Sequence, residues 1–235
     1  MQALRCNNTK VGCDFRSHPQ LLFTLAIVGL ATVAADLSIV TAMRADALQY
    51  DVGDQWRTTI GLVWLLLAVG LVTEADLSPQ NLGLSWRVTP NLGFWLKAVP
   101  TMLAVLGVIL LACATVYRWF YGVWPDVPSG TNSFWSERLF WSCVFAPLWE
   151  EIIYRQAVCV WLAPLVGATL CIVIDGALFG GLHFLYGNPS PDNFIAGYFL
   201  AWAFLKSGTL WLPILLHASG NLVAYVVQFY FGQSQ

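Results

Sequence analysis

The sequence predicts an all-α protein, a polytopic bundle of about seven to eight membrane-spanning helices. Of its 235 residues, 58% are hydrophobic and only 10% are charged, whereas an ordinary soluble domain carries about 25% charged residues. The apolar residues form runs long enough to cross a bilayer, which takes about 20 residues in a helix. Several of the 12 tryptophans lie near the ends of these runs, as in the aromatic belts of membrane proteins. These observations indicate an integral, multi-pass membrane protein.

The first half of the chain contains three apolar runs that predict spans. Residues 1–20 are polar and carry basic side chains, which favours a cytoplasmic N-terminal segment. The run that follows is longer than the roughly 7–15 apolar residues of a secretory signal core, so we interpret it as an uncleaved helix. The predicted spans are 21–43, 58–73 and 94–119, with an acidic-leaning loop at 44–57, a turn-rich connector at 74–91 and a Pro/Gly loop at 125–130. Within the connector, we interpret residues 81–86 as a surface element.

The second half is almost continuously apolar, and turn-forming residues divide it into four further helices. Proline and glycine punctuate regular structure, and they interrupt the run at Pro164, at 187–191 and at 207–208. An eight-span arrangement would also divide the first of these helices at Pro147. The predicted helices are 134–163, 164–186, 192–206 and 210–231. We interpret residues 21–235 as a single transmembrane domain, whose motif-bearing core is 134–231.

Three short patterns in this second half contain ionisable residues within apolar helices, and the first is Glu150-Glu151-x-x-x-Arg155. Residues four apart share a helix face, so Glu151 and Arg155 can pair in the favourable acid-first order, while Glu150 points about 100° away. Charged side chains within spans usually line cavities, because exposing them to lipid is expensive. We therefore expect Glu150 to face a cavity and the Glu151–Arg155 pair to support it. The alternative is a pair of solvated glutamates at a helix end.

The second pattern, Phe179-x-x-x-His183, closes an apolar helix that passes through Gly180-Gly181. Because glycines carry no side chain, we expect a neighbouring helix to approach closely at this point. Close approach is what a site shared between helices needs. On its own, His183 is as compatible with an interhelical hydrogen bond as with a catalytic role.

The third pattern, His217-x-x-x-Asn221, places an imidazole and a carboxamide on one face of the last helix. A carboxylate with an imidazole can deprotonate water and pass the proton to a leaving amine. An imidazole N–H and a carboxamide N–H can stabilise a developing oxyanion. With Glu150 and His183, this pattern supplies the groups that peptide-bond hydrolysis in a membrane cavity requires.

In residue types, order and spacing, the three patterns resemble the motifs of the CAAX protease and bacteriocin-processing (Abi) family of intramembrane endopeptidases. The resemblance covers residues 134–231 and includes the type II CAAX prenyl endopeptidases. It implies an endopeptidase of the glutamate type. The roles that it implies are water activation by Glu150 and His183, oxyanion binding by His217 and Asn221, and support by Glu151 and Arg155.

Zinc catalysis is an alternative, because Glu150, His183 and His217 could supply three ligands and leave an open position for water. The chain lacks a His-Glu-x-x-His motif, and Asn221 suits an oxyanion role, so we expect catalysis without a metal cofactor. A non-enzymatic bacteriocin-immunity protein or membrane scaffold is a second alternative. In that case the polar cluster would bind a peptide or hold helices together.

Three other residues suggest different protease chemistries. Ser219 lies between His217 and Asn221, but about 200° around the helix from His217, so we interpret it as a small residue at a helix contact. Asp36 and Asp175 lack the Gly-x-Gly-Asp pattern of intramembrane aspartyl proteases. A single aspartate in a span is more often hydrogen-bonded within the bundle.

The composition also limits the partners. A net charge of −2 built from few charged residues provides no basic face for phosphate, so nucleic acid is not an expected partner. We expect the lipid bilayer and a membrane-associated protein or peptide substrate instead. The compact chain favours a bacterial inner or plasma membrane and a substrate that is not prenylated.

Overall fold

The computed structural model describes residues 11–123, 139–187 and 191–232, with side chains described as far as Tyr225. Within these ranges the regular structure is helical and includes no β-strand, which confirms the predicted all-α class. The total of about seven to eight spans stays a prediction. The predicted loop at 125–130 lies outside the described residues.

The described helices are numbered in chain order. They are α1 (Pro19–Arg44), α2 (Tyr50–Glu74), α3 (Leu92–Tyr121), α4 (141–166), α5 (Ala168–Tyr186), α6 (Pro191–Ser207) and α7 (Trp211–Gly232). Helices α1, α2, α3 and α5 are long and apolar enough to cross a membrane. The chain divides into two compact units. The first comprises Met1–Thr89 and Leu148–Ile214, and the second comprises Pro90–Pro147 and Leu215–Gln235.

Helix α2 begins at Tyr50 rather than at the predicted residue 58. Its first two turns are polar, so hydropathy alone assigns them to a loop. In the structure they are helical and pack in the first unit, where Arg57 is only 2% exposed. The predicted loop at 44–57 is therefore wrong over most of its length, because these turns are helical and the charge of Arg57 is buried in a pair with Asp36.

Helix α4 alternates between two helix types. Its consecutive segments are π-helical Trp141–Phe145, α-helical Ala146–Glu150, π-helical Glu151–Gln156 and α-helical Ala157–Val166. π-Helical turns are rare in proteins, and those that occur are often found at functional sites. Here they flank Glu150. Pro147 and Pro164 both lie inside helical segments. The helix therefore does not divide at Pro147, and the break predicted at Pro164 comes later in the chain. The break comes at Gly167, whose φ of 85° favours glycine.

Glycines allow α5 and α6 to pack closely within the first unit. A Cβ atom at Gly180 would overlap the ring of Phe194, and one at Gly176 would overlap the ring of Tyr198. The expected close approach at Gly180 is confirmed. A Cβ at Gly181 would meet no atom within 4 Å, so only one glycine of the pair serves this contact.

The connector between α2 and α3 is partly buried, contrary to the interpretation of 81–86 as a surface element. Asn81 and Leu82 are buried, and the side-chain amide of Gln156 donates to the Leu82 carbonyl oxygen at 3.0 Å. The Leu210 amide donates to the Gly83 carbonyl oxygen at 2.8 Å. The polar connector is drawn inward because it satisfies buried donors of α4 and of the segment before α7.

Helix α3 belongs to the second unit and is framed by residues typical of helix ends. The Asn91 side chain accepts a hydrogen bond from the Phe94 amide at 3.1 Å, an N-cap arrangement. The helix ends at Gly122, whose φ of 76° places it in the left-handed region. Within α3, which the structure describes in full, Trp95 is the only buried residue. Its exposed apolar surface is suited to contact with lipid.

Candidate active site

Arg155 lies between two carboxylates inside the first unit. Its Nε donates to Glu151 Oε2 at 2.9 Å, and its Nη1 donates to Asp175 Oδ2. All three side chains are fully buried. The pairing of Glu151 with Arg155, which their spacing predicts, is confirmed, and so is the expectation that Asp175 is hydrogen-bonded within the bundle. Glu151 therefore takes part in a buried ion-pair cluster to which α4 and α5 both contribute residues.

Glu150 faces a different arginine, Arg57 of α2. The Nη2 atom of Arg57 lies 3.5 Å from Glu150 Oε1, and Glu150 is 7% exposed. This burial argues against a pair of solvated glutamates at a helix end. The two adjacent glutamates thus have separate surroundings, as the angle between them predicts.

Arg57 is itself held by the first helix. Its Nε donates to Asp36 Oδ1 at 2.7 Å, and the Tyr154 hydroxyl donates to Asp36 Oδ2 at 2.7 Å. A second carboxylate, Asp54, has its Oδ1 3.6 Å from Arg57 Nη1. One guanidinium therefore lies among carboxylates from α1, α2 and α4. Charges buried in this way need partners, because leaving a charge unpaired away from water is costly.

Aromatic rings also contact the Arg57 guanidinium. Its central carbon lies 5.9 Å from the centroid of the Trp149 ring and 5.6 Å from that of Tyr186. Both distances fall within the range of cation–π attraction. Trp149 precedes Glu150 in the chain, and Tyr186 follows His183 by three residues, close to one face of α5. Arg57 therefore contacts the helix of Glu150 and the helix of His183.

His183 lies near the end of α5, and its tautomer follows from its contacts. The ring Nδ1 lies 3.0 Å from the Phe179 carbonyl oxygen. A carbonyl oxygen only accepts hydrogen bonds, so Nδ1 carries a proton and donates it. In the neutral imidazole, Nε2 is then the atom with the lone pair. This tautomer gives His183 a hydrogen-bond acceptor of the kind that a water-activating residue needs.

Phe179 packs between two buried clusters, one formed by Arg155 with its carboxylates and the other by Arg57 with its carboxylates and Tyr154. Its ring centroid lies 4.5 Å from the Arg155 guanidinium carbon and 4.5 Å from the His183 ring centroid. The Tyr154 ring packs against it edge-on at 5.8 Å, and Tyr154 in turn donates to Asp36. The aromatic residue of the second motif thus packs against the histidine of its own motif and the arginine of the first. Its size explains why an aromatic residue suits this position.

The structure places His217 and Asn221 on α7 in the second unit, whereas Glu150 and His183 lie in the first. The Asn221 Nδ2 donates to the Ser142 carbonyl oxygen at 2.6 Å, and the Ser142 hydroxyl is 2.9 Å from the Tyr225 hydroxyl. The first of these bonds assigns the amide orientation of Asn221, because the carbonyl accepts only from the NH₂ group. The same nitrogen carries a second N–H.

Ser219 is exposed on α7, so its place at a helix contact stays a prediction. Its hydroxyl donates to the Leu215 carbonyl oxygen at 2.7 Å, four residues earlier. This is the usual back-bond of a serine inside a helix. The contact supports the interpretation of Ser219 as a structural residue.

The sequence interpretation did not place Arg57, Tyr154 and Tyr186 in the site, and it expected of Asp36 only a hydrogen bond within the bundle, which the structure confirms. Asp36 and Arg57 carried a usable signal, since each is a charge in or beside an apolar run and buried charges need partners. Nothing in the sequence, however, specified that the two would pair. Tyr154 and Tyr186 are common in apolar helices and carried no signal of their own.

Comparison with known proteins supports the motif interpretation. Residues 132–223 match the family described as "Type II CAAX prenyl endopeptidase Rce1-like", and this segment contains all three motifs. No curated protein and no solved structure gives a significant match. The all-helical fold and the four apolar helices agree with the CAAX-type membrane proteases that this match indicates. The match of residues 132–223 to the Rce1-like family supports the resemblance stated from the motifs.

Proposed function

We propose that the protein is an intramembrane endopeptidase of the glutamate type, which hydrolyses a peptide bond near the membrane surface in a protein or peptide tail. The main support is the buried cluster of the first unit, in which Arg57 contacts both Glu150 and the helix of His183. The family match supports the protease class.

In the proposed reaction, Glu150 takes a proton from water while His183 Nε2 accepts a hydrogen bond from the same molecule. The water oxygen attacks the carbonyl carbon, and the carbonyl oxygen becomes an oxyanion. Glu150 then passes the proton to the leaving nitrogen as the carbon–nitrogen bond breaks. A carboxyl group and an amine result, and the enzyme returns to its starting protonation state.

His217 and Asn221 would stabilise the oxyanion. The hydrogen bond from Asn221 to the Ser142 carbonyl uses one N–H of the carboxamide and fixes the group in one orientation. The second N–H is the one that we assign to the oxyanion. Donors oriented in advance are effective because they need no rearrangement as the negative charge forms.

The experiment is cleavage of fluorogenic membrane-tail peptides, prenylated and unprenylated, by the purified full chain in detergent, with and without a chelator. We expect Glu150→Gln and His183→Ala each to lower kcat by about 10²–10⁴-fold. Glu74→Gln and His18→Gln are matched controls, because Glu74 is exposed, His18 is partly exposed, and both lie at helix ends away from the cluster. All variants are compared at equal amounts of folded protein.

The outcomes separate the competing functions. Cleavage that survives chelation and disappears in Glu150→Gln supports the proposal. Loss on chelation, restored by zinc, would instead make Glu150, His183 and His217 metal ligands, since a metal-binding histidine also donates its second ring nitrogen to a carbonyl. Unchanged turnover by Glu150→Gln would contradict the assignment. If the wild-type protein cleaves no peptide in the panel, the immunity or scaffold alternative is favoured.

We further propose that the partners are the bilayer and a membrane-associated substrate, without nucleic acid or a metal cofactor. The location that we propose is a bacterial inner or plasma membrane, in agreement with the integral membrane character that the helices and the family match support. The unprenylated peptides of the panel test the substrate preference directly.

A further inference from the structure

We infer that Arg57 is a positioning residue for Glu150, and that the N-terminal helix pair is therefore part of the active site. The inference rests on the proposed function, because it assumes that Glu150 is the catalytic carboxylate. It extends that function to a part of the chain that lies outside the matched segment 132–223. Helices α1 and α2 would then take part in catalysis besides anchoring the protein in the membrane.

The first support is that Arg57 has a fixed position. Asp36 accepts hydrogen bonds on both oxygens, from Arg57 Nε and from the Tyr154 hydroxyl, each at 2.7 Å. Two donors on separate oxygens prevent the carboxylate from rotating, and Asp36 in turn holds the plane of the guanidinium. Arg57, Asp36 and Tyr154 come from α2, α1 and α4, so three helices determine where the guanidinium points.

The second support is the position of Nη2, a donor atom of the Arg57 guanidinium. Arg57 Nη2 is buried and makes no hydrogen bond to any of the described residues. The nearest carboxylate oxygen in an ion pair with it is Glu150 Oε1, at 3.5 Å. A buried donor without a hydrogen bond is uncommon in folded proteins and calls for an explanation. Catalytic contacts that are long in the free enzyme often shorten when the substrate binds.

The third support comes from the two rings that contact Arg57. The guanidinium carbon lies within 6 Å of the ring centroids of Trp149 and Tyr186, which restricts movement of the side chain. Trp149 adjoins Glu150 in the chain, and Tyr186 lies three residues after His183. Arg57 would therefore restrain the Glu150 carboxylate that receives the proton of the attacking water.

The test uses three variants of the buried Asp36–Arg57 pair and measures kcat and KM separately. The single variant Arg57→Gln removes the charge but leaves Asp36 unpaired. The paired variant Asp36→Asn/Arg57→Gln removes both charges together, which buried ion pairs often tolerate without loss of folding. Arg57→Lys keeps the positive charge. Arg44→Gln is the matched control, since Arg44 is exposed at the end of α1.

We expect the paired variant to fold and to lose about 10²-fold in kcat, the loss that a misplaced catalytic group can cause, with KM within about twofold. Arg57→Lys should recover at least about tenfold of that loss. In a Glu150→Gln background, the paired change should lower the residual turnover no further, because residues that act as one unit are not additive. Arg44→Gln should match the wild-type protein.

A folded paired variant with wild-type kcat would overturn the inference, and so would a rise in KM alone. Failure of Arg57→Gln and of the paired variant to accumulate would assign Arg57 to folding, which also overturns it. The proposed function fails separately: if Glu150→Gln retains turnover, Glu150 is not catalytic whatever Arg57 does.

Discussion

Replacing Arg155 by methionine tests the buried ion pairs most directly. The guanidinium has no solvent exposure and pairs with Glu151 and Asp175, which are equally buried. Methionine fills much of the same volume, but it leaves two carboxylates facing each other without a cation. Removing one partner of a buried ion pair costs about 3–5 kcal/mol in the free energy of unfolding.

The expected loss is large compared with total stability. At 1.4 kcal/mol for each factor of ten, it corresponds to roughly a 10²- to 10⁴-fold change in the unfolding equilibrium. Loss of the contact between Arg155 and the Phe179 ring, at 4.5 Å, adds to the effect, because a desolvated cation–π pair contributes about 0.5–2 kcal/mol. Natural domains have only about 5–15 kcal/mol of stability in total.

Thermal unfolding in detergent measures this loss. A thiol-reactive dye would label Cys159 and Cys171 only as the protein opens, because both are buried. The control is the triple variant Glu151→Gln/Arg155→Met/Asp175→Asn, which removes all three charges and should regain most of the stability. An Arg155→Met protein that melts like wild type would refute the reasoning, and so would a triple variant no more stable than Arg155→Met.

Two further predictions concern α7. Asn221→Ala should lower kcat by about 10²–10³-fold and leave KM within about twofold, because an oxyanion donor acts mainly in the transition state; a pure binding defect would contradict that role. Ser219→Ala should leave kcat unchanged and stability within about 0.5 kcal/mol, since its hydroxyl bonds only within the helix. Loss of cleavage by a folded Ser219→Ala protein would instead make that serine a candidate nucleophile.

Local spacing predicted some parts of the cluster correctly. The pairing of Glu151 with Arg155 follows from four-residue spacing, and it holds although the segment is π-helical rather than α-helical. The close approach at Gly180 follows from the absence of a side chain. Both are short-range properties, so a single stretch of sequence contains the information that they need.

Hydropathy was misleading where charges are buried in pairs. The first turns of α2 were assigned to a loop because they are polar, yet Arg57 is buried against Asp36 and near Glu150. The connector at 81–86 was assigned to the surface for the same reason, although Leu82 accepts a hydrogen bond from buried Gln156. A hydropathy scale values each residue alone, whereas a polar group becomes compatible with burial once a partner is present.

By itself, the sequence determined the helical membrane class, the approximate positions of the helices and the three motifs that identify the family. These features depend on composition and on spacing within one helix. The tertiary structure alone decided that Asp36 and Arg57 join the surroundings of Glu150, that Asp175 completes the pair around Arg155, and that Phe179 packs between two clusters. The physical reason is that a buried charge requires a partner, but the packing of distant helices selects which residue that partner is.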